Sequence, residues 1–165
     1  MTTVYASRAA APIARMYRIN EFFFAQALDG LTDTDLWRRP AENGNPMFWI
    51  AGHMVDTRAL VPKALGEEFE LPWQDQFKRY SKISDPSGYP DIALIRSTMA
   101  RIGDRISVLL AEVDDEQLSQ AATGVGVPNA KTLMDEISQL AWHDSYHLGQ
   151  MGYLRKALGF QAMVG

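Results

Sequence analysis

The chain is 165 residues long, carries a formal net charge of −4 and contains no cysteine. That length makes one domain, residues 1–165, with enough chain to bury a core without covalent staples. Without cysteine there are no disulfides, thiolate metal sites or cysteine nucleophiles; an acidic chain with no basic block is a poor match for nucleic acid; and no apolar run approaches the ~20 residues that span a bilayer. The apolar stretch at residues 9–14 is too short for a secretory signal, so the sequence reads as a cytoplasmic protein.

Four segments carry a helical period. Residues 12–28 open with Pro12, which suits a first helical position. They repeat Ile13, Tyr17, Asn20, Phe24 and Ala27 at helix spacing and stop at Gly30. Asn20 is polar on this otherwise apolar seam, which points to an interhelical hydrogen bond or a place in a cavity wall.

Residues 46–65 follow, with Asn45 as the expected N-cap and Pro46 as the first helical residue. Trp49, His53, Asp56 and Leu60 share one face, and Pro62 predicts a kink or an early end. Trp49, one turn from His53, reads as a core aromatic.

Residues 90–113 place Ile92, Ile95, Met99, Ile102, Ile106, Leu109 and Val113 at alternating spacings of three and four, a wholly apolar seam. Arg96, Arg101 and Arg105 fall off that seam and read as a solvated face.

Residues 130–158 begin with a capping box, Thr132 and Asp135. Leu133, Ile137, Leu140, Asp144, His147, Met151 and Leu154 form their seam, and Gly159 ends them.

Nothing reads as a strand. Four amphipathic helices without a sheet predict an all-α fold, a four-helix bundle. The connection at residues 66–89 is long for a bundle. Extended, it outreaches a 20-residue helix of about 30 Å, so the chain can cross the bundle there. Its Phe69, Trp73, Phe77 and Tyr80 predict a short amphipathic helix over a bundle edge, with a lid over a site as the alternative.

The chain has three histidines. His143 and His147 stand one turn apart, which stacks them about 5–6 Å apart at Cβ. His53 sits on the core-facing stripe of another helix and can supply a third nitrogen. Three neutral donors would leave a divalent ion its full charge and one open position, where the pKa of bound water or thiol falls, to about 7 for water in favourable cases. On spacing alone, a helical histidine pair and a packed core histidine would account for the same residues.

The segment from Asn45 to Met54, NPMFWIAGHM, resembles the second-helix motif of the DinB-like (YfiT-like) metalloprotein superfamily. The segment from His143 to Gln150, HDSYHLGQ, resembles that superfamily's last-helix motif, a histidine pair followed by Gly-Gln. The stretch at residues 31–40 and the order of one histidine then two also agree, so the resemblance covers nearly the whole chain. It implies an up-down-down-up bundle with the long crossover between helices two and three. It implies a zinc or nickel ion on His53, His143 and His147, a homodimer and a small-molecule substrate. Family activities include thiol transfer from bacillithiol or mycothiol and mycothiol-dependent maleylpyruvate isomerisation; other members are described as metal-dependent hydrolases.

The sequence thus leads to a metal-dependent enzyme with an open three-histidine site. Its best match is transfer of a low-molecular-weight thiol, as cosubstrate, to an electrophile. The alternatives are a hydrolase using metal-bound hydroxide and a non-catalytic metal- or ligand-binding dimer. Metal-bound imidazoles usually donate their second nitrogen to a neighbour. Asp56, three residues after His53, can orient a ring, complete the ligand set or lie solvated at the bundle end. Asp144 shares the stripe of His147, and Gln150 matches the family's glutamine. No general base stands out beyond Asp56 as a candidate.

Overall fold

Side-chain caps mark where some of the helices begin. In the computed structural model, which describes residues 3–163 other than Asn43, Gln74 and Ser84, the helices are α1 (Ala10–Leu28), α2 (Asp33–Trp37), α3 (Met47–Arg58), α4 (Leu60–Ala64), α5 (Ile92–Glu112), α6 (Asp115–Ser119) and α7 (Leu133–Ala157). Thr132 and Asp135 form the expected capping box of α7. Asp91 caps α5 by accepting from the Ala93 N–H. Helix α3 starts one residue later than expected, with Pro46 at the N-cap and no side-chain cap from Asn45.

The expected second helix is two. Pro62 has no N–H to offer the carbonyl of Arg58, and its ring crowds that carbonyl. Helix α3 therefore ends at Arg58 and α4 resumes at Leu60. The short helices α2 and α6 were not expected, and each carries its own capping box, Thr32 with Asp35 and Asp114 with Gln117. Among the described residues there is no strand, only an isolated bridge between Ala121 and Thr132.

Contacts between helices fix their directions. Tyr17 donates to the carbonyl of Ile137 (2.7 Å), Asn20 to that of Ala141 (3.0 Å) and Arg155 to that of Ala27 (3.3 Å). Both numbers climb together, so α1 and α7 run parallel. Ala6 donates to Ala111 while Arg96 reaches Leu28, so α1 and α5 run antiparallel. His53 meets His147 while Arg58, further along α3, meets the earlier Asp144, so α3 and α7 are antiparallel. Helices α1 and α3 each pack against both α5 and α7. The long helices α3 and α5 run in the same direction with only the short α4 and the connection between them, so the connection must carry the chain back along the bundle.

That connection forms two 3-10 turns, Asp75–Phe77 and Pro86–Gly88, in place of the expected amphipathic helix. Phe77 is fully buried, with ring centroids 5.9 Å from Phe48 and 5.3 Å from Tyr89. Its ring lies so close to Gly52 that a methyl group there would overlap it. The arginines of α5 are not merely a solvated face: Arg105 pairs through two nitrogens with Glu67, and Arg101 lies 5.4 Å over the ring of Phe69. Both hold the crossover to the bundle.

Candidate metal centre

The antiparallel pairing of α3 and α7 brings the three histidines together. A nitrogen from each of His53, His143 and His147 lies within 4.8 Å of the others. Ring centroids are 4.4 Å apart for His143 and His147, 4.9 Å for His53 and His147, and 5.3 Å for His53 and His143.

Each ring has a partner on its outer nitrogen. His53 donates from Nδ1 to the carbonyl of Phe77 at 2.7 Å, and a carbonyl can only accept. His147 donates from Nδ1 to Oε1 of Gln150 at 2.8 Å, while the amide nitrogen of Gln150 donates to the Tyr146 hydroxyl at 3.1 Å. Nδ1 of His143 lies 3.4 Å from the hydroxyl of Thr57, whose own proton goes to the carbonyl of His53. His53 and His147 thus carry their protons on Nδ1 and their lone pairs on Nε2.

The Nε2 atoms of His143 and His147 face each other at 3.1 Å. With the His143 proton on Nε2 this contact is a hydrogen bond to the lone pair of His147; with it on Nδ1 two lone pairs meet, and a cation between them relieves their repulsion. A proton does not fill this role at neutral pH. Burial first, then His147 and His53, lowers the pKa of His143 to about 4, and burial also lowers those of His53 and His147. A divalent ion does fit. Two imidazole nitrogens each about 2.0–2.1 Å from one tetrahedral zinc sit roughly 3.3 Å apart.

Around the rings, Trp49 is buried and stacks on His53 with centroids 4.9 Å apart and planes 11° apart. Tyr146 meets His147 edge-on at 5.1 Å. Asp56 is half-buried, outside the three-nitrogen cluster. Burial raises its pKa, and the charge of His53 pulls the other way.

The remaining expected residues lie elsewhere. Asp144 is buried and turns to Arg58, 3.3 Å away. Asn20 makes an interhelical bond to the carbonyl of Ala141 and accepts from the hydroxyl of Ser145. Sequence reasoning missed the carbonyl of Phe77, which no side-chain pattern announces, and Thr57, one turn after His53. It also missed Arg79, whose charge acts on His53 and His143 from the crossover.

A family model described as the DinB superfamily matches residues 24–151. The chain belongs to the DinB superfamily. Its bundle is similar to a solved structure from Bacillus subtilis, YfiT, described as a probable metal-dependent hydrolase with an unusual four-helix bundle topology. The two share 16% identity at a TM-score of 0.61, over 92% of this chain and 89% of that one. No curated protein matches. A DinB fold with a three-histidine cluster fits a metal-dependent enzyme.

Proposed function

We propose that this DinB protein is an enzyme in which His53, His143 and His147 hold one divalent ion, zinc or nickel, and that it transfers a low-molecular-weight thiol to an electrophilic small molecule. The observation that carries this reading is the convergence of one nitrogen from each of three imidazoles, on two helices, to within 4.8 Å of one another. Imidazole suits either metal. When bound, the ion supplies Lewis-acid charge that lowers the pKa of a thiol or water beside it.

The chain supplies the rest. Three neutral imidazoles leave the ion's charge uncancelled, and Phe77, Gln150 and Thr57 hold the rings in place. In the transfer, the thiol sulfur forms a bond to the electrophilic carbon and the leaving group departs with the electron pair of the broken bond. The thiol proton goes to a base. Asp56 is the candidate, since burial makes it more basic than an exposed carboxylate.

Hydrolysis, with water as the nucleophile, is the second reading, favoured by the description of YfiT as a probable metal-dependent hydrolase. Metal quantitation on protein purified without an affinity tag tests the ligand set. We expect close to one ion per chain, falling steeply in His53→Ala and His147→Ala; unchanged content in both variants overturns the assignment. Incubation of the loaded protein with a thiol and an electrophile panel, against an ester and amide panel, separates transfer from hydrolysis by the product formed.

A further inference from the structure

A groove of about 610 Å³ runs along α7 where that helix meets the start of α3. Tyr146, Gly149, Gln150 and Tyr153 line it from α7, and Asn45 and Ile50 from the α3 side. Its inner end is formed by Gln150, which accepts from the outer nitrogen, Nδ1, of His147 and donates to Tyr146, so one side chain separates the groove from that ring. Its outer end continues, through shared walls at Pro40, Tyr153 and Leu154, into a hollow of about 190 Å³ bounded by Arg38 and Arg39. Among the described residues, no aspartate or glutamate lines either space. Both arginines are exposed, and Arg39 makes one long contact, 3.4 Å, to the carbonyl of Gly44. From Gln150 to Leu158, eight residues on, the helix rises about 12 Å.

We propose that this groove holds the body of the substrate, an elongated organic anion. Its aromatic or apolar length lies against Tyr146 and Tyr153, its acid group lies between Arg38 and Arg39, and its reactive end turns past Gln150 to the histidines. The volume is that of a small-molecule site, within the usual range of about 300–1,000 Å³. Tyr146 and Tyr153 are 52% and 74% exposed, and Tyr146, stacked on Trp142 with centroids 5.9 Å apart, is held in place as part of the groove wall. Two guanidinium forks match a carboxylate or sulfonate, and on a chain of net charge −4 they reverse the local sign. Gly149 keeps the floor open: a methyl group there meets nothing within 4 Å. The inference rests on the metal-dependent reading, because it assigns the groove to that centre's substrate.

Binding of anilinonaphthalene sulfonate, an aromatic anion, and of phenylnaphthylamine, its uncharged counterpart, is followed by fluorescence, with metal content and thermal unfolding measured on the same samples. Gly149→Leu fills the groove on an exposed helical position that tolerates leucine. We expect it to weaken both probes about tenfold, with metal content unchanged and unfolding unchanged or shifted a few degrees upward by the better helix former. The Arg38→Ala/Arg39→Ala double variant should weaken the sulfonate about tenfold and leave the uncharged probe within roughly twofold. Unchanged binding in Gly149→Leu overturns the groove, and equal weakening of both probes in the double variant overturns the anion site. Either result with the ion still bound leaves the metal reading intact. Probe binding that follows these expectations in protein that takes up no ion on incubation with zinc or nickel upholds the groove and overturns the metal reading instead.

Discussion

The guanidinium of Arg58 lies 3.3 Å from the carboxylate of Asp144, and neither side chain reaches solvent. One nitrogen of Arg58 also donates to the carbonyl of Tyr17 at 2.7 Å and lies 3.5 Å from Glu21. A single arginine thus ties α3, which carries His53, to α7, which carries the other two histidines, and to α1.

Removing one partner of a buried ion pair leaves the other charge stranded. Arg58→Ala should cost about 3–5 kcal/mol, through loss of both the pair and the packing of the long side chain. In a chain of this size that lowers Tm by on the order of 10 °C. Asp144→Ala should cost less, because Arg58 keeps Tyr17 and Glu21. The double variant Arg58→Met/Asp144→Leu should recover most of the loss, as well-packed apolar replacements of buried pairs do. Thermal and urea unfolding check all three.

Gln150 fixes the ring of His147 and touches no other histidine. Gln150→Ala should leave the fold near wild-type stability and weaken metal binding about 10–100-fold, the usual effect of losing an imidazole's outer partner. Gln150→Glu keeps an acceptor at Nδ1 and should hold or raise the affinity. Chelator competition gives both values, and wild-type affinity in Gln150→Ala would show that the ring needs no such support.

Gly52→Ala pushes the Phe77 ring out of its seat, and the Phe77 carbonyl moves with it. We expect a loss of about 1–3 kcal/mol from overpacking. Weaker metal binding should accompany it, because His53 loses its acceptor. Stability and metal titration on one sample decide whether the two effects travel together.

Acid should unfold the metal-free protein through its histidines. The pKa of His143 falls from an ordinary 6.5 to about 4 on folding, chiefly by burial. Between those values the unfolded chain binds a proton that the folded chain refuses, so stability is full above pH 6.5 and is lost as pH falls through 4. Asp144 acts in the opposite sense. Burial raises its pKa from 3.8 to about 7, so its contribution is full below 3.8 and is lost as pH rises through 7. Comparing wild type with His143→Gln by urea unfolding at pH 4.5 and pH 7 isolates the histidine, and the variant should show the smaller acid loss.

The bundle was legible because its long helices carry their seams openly. Ile95, Met99, Ile102 and Ile106 are fully or almost fully buried where the alternation of threes and fours places them. The histidine cluster was legible for the same reason, since position on a helix face is a local property. Arg58 was not: nothing within its own helix says that a charge five residues after His53 turns inward, because its partners Asp144 and Tyr17 lie on other helices. The Phe77 carbonyl was hidden for a related reason. A main-chain acceptor has no side-chain signature, and only the crossover's path delivers it to His53. Helices α2 and α6 were short enough to escape a periodicity test, though the residues of their capping boxes stood in the sequence. The groove at Arg38 and Arg39 is likewise made by segments far apart along the chain.

His53 emerges from the ribosome long before the helix that bears His143 and His147. At ordinary rates of translation the interval is roughly ten seconds. During that time the lone imidazole is a weak trap for any passing ion. If the three histidines hold the proposed ion, loading must wait for the final helix to dock and is coupled to the completion of folding. A protein truncated within α7 would lose two of the three clustered imidazoles and, on the proposed reading, the binding step that locks the last helix in place.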